Sequence, residues 1–298
     1  MAVFGKGYDH FLGYALSGGG AKGFAHLGAL KVLEKCGLKP DVIAGTSAGS
    51  LAGVFYADGY HPEEILELFR EKEFREFAEL AIPKTGLFKS TGLHGFLKKN
   101  LRAHRFEELQ VPFYAVATDW KRAQTVVFSE GDDLVDAVVA SCSVPIVFQP
   151  QYIHDVPYVD GGLLKNFPVS VIREQCRYVI GVNVAPIIPV AEKDTIRTMA
   201  ERTFNLISNA NTLIDKTYCD ILIETEGVER YTMFDLNNMD KITETGYYHA
   251  AIKMSEKESW TIVEKCHKHY QRQEKVRKHV QRLRERGIGG SLTHNRST

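Results

Sequence analysis

No stretch of this 298-residue chain is apolar for long enough to cross a bilayer. The longest candidate, Val179 to Val190, is interrupted by Asn183, Pro186 and Pro189, whereas a spanning helix takes about 20 residues. The first residues, Met1 to Tyr14, alternate glycine, aromatic and charged types and hold no apolar signal-peptide core. The expectation is a cytoplasmic protein, with contact at a membrane surface compatible with it and a specialised secretion route left open. Net charge is also missing: 37 Lys and Arg are matched by 37 Asp and Glu. That balance removes the basic excess by which proteins hold nucleic acid. Cysteine is scarce and scattered, at Cys36, Cys142, Cys176, Cys219 and Cys266. With no CxxC pair and an odd number, the set reads as reduced thiols rather than a disulfide framework or a zinc site. Internal repeats and low-complexity linkers are lacking as well, which favours one domain over residues 1–298. No cofactor is called for, and the oligomeric state is left open.

What the chain does contain is a run of α/β punctuation. Tyr14-Ala15-Leu16 leads into Ser17-Gly18-Gly19-Gly20-Ala21-Lys22-Gly23. A helical pattern follows from Phe24 to Cys36, and Gly37 and Pro40 end it before the next apolar run at Val42-Ile43. Strand, glycine turn, helix and strand in that order make a right-handed βαβ unit with a parallel sheet. Further on, the patterning predicts an amphipathic helix from His61-Pro62, a loop at Leu87-Phe88 and a short basic helix over Leu93 to Leu101. A hairpin is expected from Phe113–Thr118 and Thr125–Phe128, a small-residue helix over Leu134 to Ser141, and an irregular stretch from Pro145 to Pro150. Gln151-Tyr152-Ile153 pairs with Tyr158-Val159, and strands are expected over Tyr178 to Val184 and Ile221 to Ile223. Long helices are expected over Thr195 to Lys216 and Thr243 to about Leu283, with Gly287 to Thr298 frayed.

Three features carry chemistry. Gly45-Thr46-Ser47-Ala48-Gly49 follows an apolar run and precedes a helix-compatible segment. A turn of that kind presents a serine hydroxyl at a strand's carboxyl end, beside a helix amino end. The plain alternative is a small-residue turn that happens to hold Ser47. Gly18 to Gly23 also satisfies G-x-G-x-x-G, a nucleotide-binding signature, but such a site wants an acidic residue at the end of the next strand. Gly45-Thr46-Ser47 stands there instead. Glycine-loop amides beside a serine suit an oxyanion better than a pyrophosphate. Asp160-Gly161-Gly162 is the third feature. A poorly solvated carboxylate with a raised pKa can serve as base to a serine, although an ordinary Asp-Gly turn accounts for the same residues. Among histidines, His154 lies nearest Asp160 and is the rival third member of a triad. His249, His267, His269 and His279 fall on a predicted helix, and His26 reads as packed or capping.

Taken together, from about Tyr14 to Val169, the chain resembles the patatin-like phospholipase family. Ser17 to Gly23, Gly45 to Gly49 and Asp160 to Gly162 stand in that family's order and approximate spacing. Ala140-Ser141, Pro145, Phe148, Pro150 and Asn166-Phe167-Pro168 support the likeness. The resemblance implies a three-layer α/β/α sandwich with a mainly parallel central sheet. It implies a Ser–Asp dyad without histidine: Ser47 as nucleophile, Asp160 as base, and amides around Gly18, Gly19 and Gly20 as the oxyanion hole. Lys22, Gly23, Gly45, Gly49, Gly161 and Gly162 support these. The implied reaction is acyl-ester hydrolysis through an acyl-enzyme, on phospholipids or lysophospholipids. A thioesterase, an acyltransferase or a non-catalytic lipid-binding regulator on the same scaffold are the alternatives. Two residues depart from the family's pattern: Ser17 replaces the usual Asp or Gly, and Lys22 the usual Arg, losing a bidentate fork. Segment Pro83 to Leu101 reads as a helix packed on the core with lysines outward, or as a lid. The basic stretch Lys265 to Arg286 reads as a solvated helix, with anionic lipid as the other reading.

Overall fold

The computed structural model describes residues 8–70, 74–77, 79–80, 86–131, 133–186, 195–233 and 235–285. The chain opens with strand β1 (His10–Leu16), helix α1 (Phe24–Lys35), strand β2 (Val42–Thr46) and helix α2 (Ala48–Ala57). Helix α3 (Pro62–Arg70) follows, then the short α4 (Phe74–Phe77), strands β3 (Glu79–Leu80) and β4 (Gly86–Lys89), and α5 (Thr91–Asn100). A hairpin of β5 (Phe113–Asp119) and β6 (Gln124–Phe128) leads to α6 (Leu134–Ser141). Three short strands come next, β7 (Ile146–Phe148), β8 (Gln151–Ile153) and β9 (Val156–Asp160), before α7 (Val169–Ile172) and β10 (Cys176–Asn183). The chain continues through α8 (Ile196–Ala210), α9 (Leu213–Lys216), β11 (Ile221–Glu224), α10 (Met239–Ser255) and α11 (Lys257–Glu285).

The main sheet runs β11-β10-β1-β2-β5-β9-β8, with β6 also on β5. From β11 to β5 every neighbouring pair is parallel, while β9, β8 and β6 are antiparallel additions. Strands buried on both faces read as continuous apolar runs, and successive residues do divide between two cores here. Leu12, Tyr14 and Leu16 of β1 join Ile43 and Ile180 in the large core packed by α1, α2, α3, α5 and α10. Their in-between neighbours Ala15, Val42, Ala44 and Val179 pack on the opposite face against Phe167, Val169 and Ile172 of and before α7. The result is the expected α/β/α sandwich with a mainly parallel central sheet.

Several boundaries differ from the sequence reading. Leu87-Phe88 is not loop, and Ile146 to Phe148 is not irregular: β4 and β7 pair in parallel, with β3 on the far edge of β4. Neither run is long enough to display strand periodicity alone. The expected helix over Thr195 to Lys216 is divided at Asn211-Thr212, and the one over Thr243 to Leu283 at Glu256, without a proline or glycine at either break. Helix α5 carries Leu93, Phe96 and Leu97 inward and Lys98 and Lys99 outward, so it packs on the core. Pro83 and Lys84 of the segment read as helix or lid, and Gly287 to Thr298, lie outside the described residues. Among the described residues, no helix is long and apolar enough to cross a membrane.

Candidate active site

Strand register brings Ser47 and Asp160 together. Residues Val116 and Ala117 of β5 pair on one side with Val127 and Val126 of β6. On the other side Val116 faces Thr46 of β2, and Ala117 faces Asp160 of β9. Because β2 is parallel to β5 and β9 antiparallel, the two strands run toward each other along one edge and end opposite consecutive residues. Residues 113 positions apart in sequence thus meet at the point where the sheet changes direction.

The serine turn is held in an unusual conformation. Ser47 has φ 52° and ψ −122°, a region L-residues seldom occupy and which costs about 1–3 kcal/mol. Surrounding contacts enforce it. The Ser47 N–H donates to Ser141 Oγ at 2.9 Å, and that hydroxyl donates to the Val116 carbonyl at 2.6 Å. The Cys142 thiol donates to the Ser47 carbonyl at 3.3 Å, and the Asp160 N–H to the Ser143 carbonyl at 2.9 Å. Residues 141–143 therefore splice the serine turn to the aspartate strand. Gly49 allows the turn to close: a β-carbon there would lie 2.2 Å from the Leu16 carbonyl oxygen. Helix α2 begins immediately after Ser47, so the positive end of its dipole faces the hydroxyl.

The glycine loop sits beside this turn at the end of β1. His26, wholly buried in α1, has Nε2 2.8 Å from the Ser17 carbonyl. A carbonyl only accepts, so Nε2 carries the proton. Burial pushes the His26 pKa down to about 4, which keeps the ring neutral. The Ser17 hydroxyl accepts from the Val184 N–H at 2.9 Å. The Ser departure is thus a stitch between β1 and the end of β10 rather than a silent replacement. Of the three loop amides expected to face an oxyanion, that of Gly18 already donates to the Asn166 carbonyl at 3.0 Å. The N–H groups of Gly19 and Gly20 make no hydrogen bond among the described residues, and Gly20, Ser47 and Ala48 share a cavity wall.

Asp160 is fully buried. Its Oδ1 accepts from the Gly162 N–H at 2.7 Å, while Oδ2 has no hydrogen bond of regular geometry. Desolvation pushes the carboxyl up to about 7, against smaller lowering effects of the Ser47 hydroxyl and the Gly162 N–H. The hydroxyl thus lies close enough to act on the carboxyl without forming a well-aligned bond.

Two cavities meet at Ser47. One, of about 150 Å³, is apolar and runs past Ala48 and Leu51 to Leu27, Ile65, Phe69, Phe77 and Leu93. The other, of about 430 Å³, is mixed: the glycine loop, Lys22, Asn166, Glu201, Arg202 and Ser208 share its wall with Val144, Phe204, Tyr231 and Met233. A carbonyl carbon placed at Ser47 can therefore send an apolar chain one way and a polar group the other.

The structure brings Ser47, Asp160, Gly18 to Gly20 and Lys22 to one place, with Gly23, Gly45, Gly49, Gly161 and Gly162 in the supporting turns. It leaves the rival histidine out: His154 occupies the β8–β9 turn, its side chain 82% exposed and 3.7 Å from Asp133. His267 contacts the Cys36 carbonyl and His269 stacks on Phe11; neither these nor His249 line the cavities beside Ser47. Sequence reasoning missed Asn211. Its Oδ1 accepts from the Asn166 N–H at 2.7 Å and its Nδ2 donates to the Gly162 carbonyl at 3.0 Å, clamping the loop after Asp160. A polar residue at the break between α8 and α9 was the only available signal.

Comparison with known proteins matches the patatin-like phospholipase family model to residues 14–172. The chain is 27% identical over 274 residues to patatin-like phospholipase domain-containing protein 7 of Rattus norvegicus, covering 78% of this chain and 20% of that protein. It is 32% identical over 220 residues to the uncharacterized protein YqhO of Bacillus subtilis (strain 168), covering 62% of this chain and 75% of that one. It is 26% identical over 271 residues to lysophospholipase NTE1 of Kluyveromyces lactis, covering 79% of this chain and 18% of that protein. The chain spans about a fifth of the length of the first and third of these relatives. With more than half its length matched and its three glycine-bearing motifs meeting at one point, the chain belongs to the patatin-like phospholipase family.

Proposed function

We propose that this protein is a serine lipid acyl hydrolase acting on monoacyl amphiphiles, lysophospholipids first among them, through a Ser47–Asp160 dyad. The observation that carries the reading is the placement of Ser47 between an apolar cavity and one that holds charged side chains, beside a buried carboxyl raised to about 7. A substrate with one acyl chain and one polar head divides at its ester between those two spaces. A diacyl lipid would have to place its second chain in the cavity that also holds Lys22, Glu201 and Arg202, whose polar groups it would strip of water.

In the reaction, ionised Asp160 takes the proton of Ser47 Oγ as that oxygen attacks the acyl carbonyl carbon. The Gly19 and Gly20 N–H groups receive the developing oxyanion, with the α2 dipole behind them. Collapse transfers the Asp160 proton to the leaving alcohol and leaves the acyl group on Ser47. Water then attacks the ester, Asp160 takes its proton, and the serine departs with that proton. The family and a relative named lysophospholipase support this assignment.

The test is fatty-acid release from 1-palmitoyl lysophosphatidylcholine and from its diacyl counterpart, with wild type and Ser47→Ala. The reading expects the monoacyl lipid to be cleaved at least about tenfold faster per unit kcat/KM, and Ser47→Ala to be inactive. Equal rates would remove the one-chain argument, and an active Ser47→Ala would remove the nucleophile.

A further inference from the structure

Six buried side-chain polar atoms among the described residues have no regular hydrogen bond, and three of them, Asp160 Oδ2, Asn166 Nδ2 and Ser208 Oγ, belong to side chains that converge on one glycine. That glycine is Gly162. A β-carbon built there would lie 2.9 Å from Asn166 Oδ1, 3.0 Å from Asp160 Oδ1 and 3.1 Å from Ser208 Oγ. The same carboxamide reaches the nucleophile, because a β-carbon on Gly18 would lie 2.3 Å from Asn166 Oδ1 and 3.1 Å from Ser47 Cβ. Asn166 thus stands between the glycine loop, the serine turn and the aspartate loop.

Asp160 has the Ser47 hydroxyl beside it, but the unmade bonds of Asn166 and Ser208 have no local explanation. A buried donor or acceptor without a partner costs about 1–3 kcal/mol. A serine inside a helix ordinarily returns its hydroxyl to a carbonyl three or four residues back. At the end of α6, Ser143 does this to Val139 at 2.8 Å; Ser208 in α8 does not. Asn166 and Ser208 are 3% and 5% exposed, yet both face the larger cavity that opens on Ser47. Their neighbours are fully engaged: Asn209 donates to the Ala185 carbonyl, and Asn211 clamps Asn166 and Gly162. The backbone of Asn166 is fixed at both ends, its N–H by Asn211 and its carbonyl by Gly18, so the point from which the carboxamide projects is set.

We infer that Asn166 and Ser208 form the subsite for the oxygen that exchanges at Asp160, the leaving alcohol oxygen in acylation and the attacking water in deacylation. By microscopic reversibility one location serves both. Asn166 Nδ2 donates to that oxygen and Ser208 Oγ completes its shell, so that a water proton points at the carboxylate. The water oxygen bonds to the acyl carbon, its proton passes to Asp160, and on collapse that proton leaves on Ser47 Oγ. This inference rests on the hydrolase reading above and adds to it residues that govern the fate of the acyl-enzyme.

Stopped-flow hydrolysis of 4-nitrophenyl butyrate separates the steps, because 4-nitrophenolate departs without needing a proton from Asp160. For Asn166→Ala and for Ser208→Ala the expected trace is a burst of about one equivalent at near wild-type rate. A steady state slower by about tenfold follows, and Ser208→Thr recovers most of that rate. Burst and steady state slowed in parallel, or neither slowed, would overturn the inference. If Asn166→Ala does not fold, Ser208→Ala decides alone, since its change lies on a helix and leaves the loop after Asp160 intact. Fluorophosphonate labelling at Ser47, run beside it, separates the two claims. A wild-type protein that is not labelled refutes the hydrolase reading, whereas normal labelling with unchanged deacylation refutes only the subsite.

Discussion

Asp160 is the residue on which pH acts. Its carboxyl is raised to about 7 by burial, and only the ionised form can take the Ser47 proton. The expected kcat/KM for a lysophospholipid therefore rises with pH and levels above about 7, as a pH–rate profile would record. The same shift has a stability consequence of fixed sign. A group whose folded pKa lies above its unfolded value stabilises the fold while protonated, and that contribution is lost as pH rises through the folded value. Moving from 3.8 to about 7 corresponds to roughly 4 kcal/mol at most. Asp160→Asn keeps the acceptor for the Gly162 N–H and removes the charge. It should be inactive, and more stable than wild type by several degrees in thermal unfolding at pH 8 but not at pH 4. A variant destabilised at both pH values would contradict the assigned burial cost. At this scale the sequence was informative where a residue type is bound to its neighbours: Ser47 and Asp160 each stand among glycines that a close turn demands. The role of Ser141, which the family likeness picked out without explaining, and that of Asn211 were not legible in the same way. Both residues act through hydrogen bonds to residues 94 and 45 positions away, and their local patterns are those of any helix end.

Among the elements, α1 is the one that carries the glycine loop, and α10 fixes where it lies. The two helices cross at glycines: a β-carbon on Gly28 would lie 1.9 Å from the Thr243 carbonyl oxygen, and one on Gly246 2.0 Å from that of Ala25. Backbone cannot give way there as a flexible side chain would. Gly246→Ala should cost about 1–3 kcal/mol in urea unfolding and lower activity as well, by moving α1 and the loop at its amino end. Unchanged stability would show that the helices separate easily. The apolar cavity depends on α2, α3 and α5, and Leu51 on α2 lines it close to Ser47. Leu51→Trp should lower kcat/KM for palmitoyl esters by about tenfold or more relative to butyryl esters, measured as a ratio on one preparation. A ratio unaltered by the larger side chain would mean that the acyl chain lies elsewhere. Elements with strong periodicity, α1, β5 and α6, were legible to within a few residues. The β4–β7 pairing and the breaks at Asn211-Thr212 and Glu256 were not, because three-residue strands and unmarked helix ends are decided by tertiary contacts that leave no local pattern.

For the molecule as a whole, alternating strands and helices announced an α/β protein, and the sandwich follows from how β1, β2 and β10 divide their side chains between two cores. The meeting of Ser47 with Asp160 could be inferred from the family likeness, but its cause is topological. Strand β9 turns back along the same edge of β5 on which β2 ends, and antiparallel return is not written in any single stretch. The central claim is that this meeting makes one nucleophile. It is tested most directly by treating the protein with an alkyl fluorophosphonate and mapping the modified residue by mass spectrometry, in wild type, Ser47→Ala and Asp160→Asn. The account predicts one adduct per chain on Ser47, none in Ser47→Ala, and labelling slowed by at least about a hundredfold in Asp160→Asn. Labelling that persists in Ser47→Ala, or that is as fast in Asp160→Asn as in wild type, would contradict it.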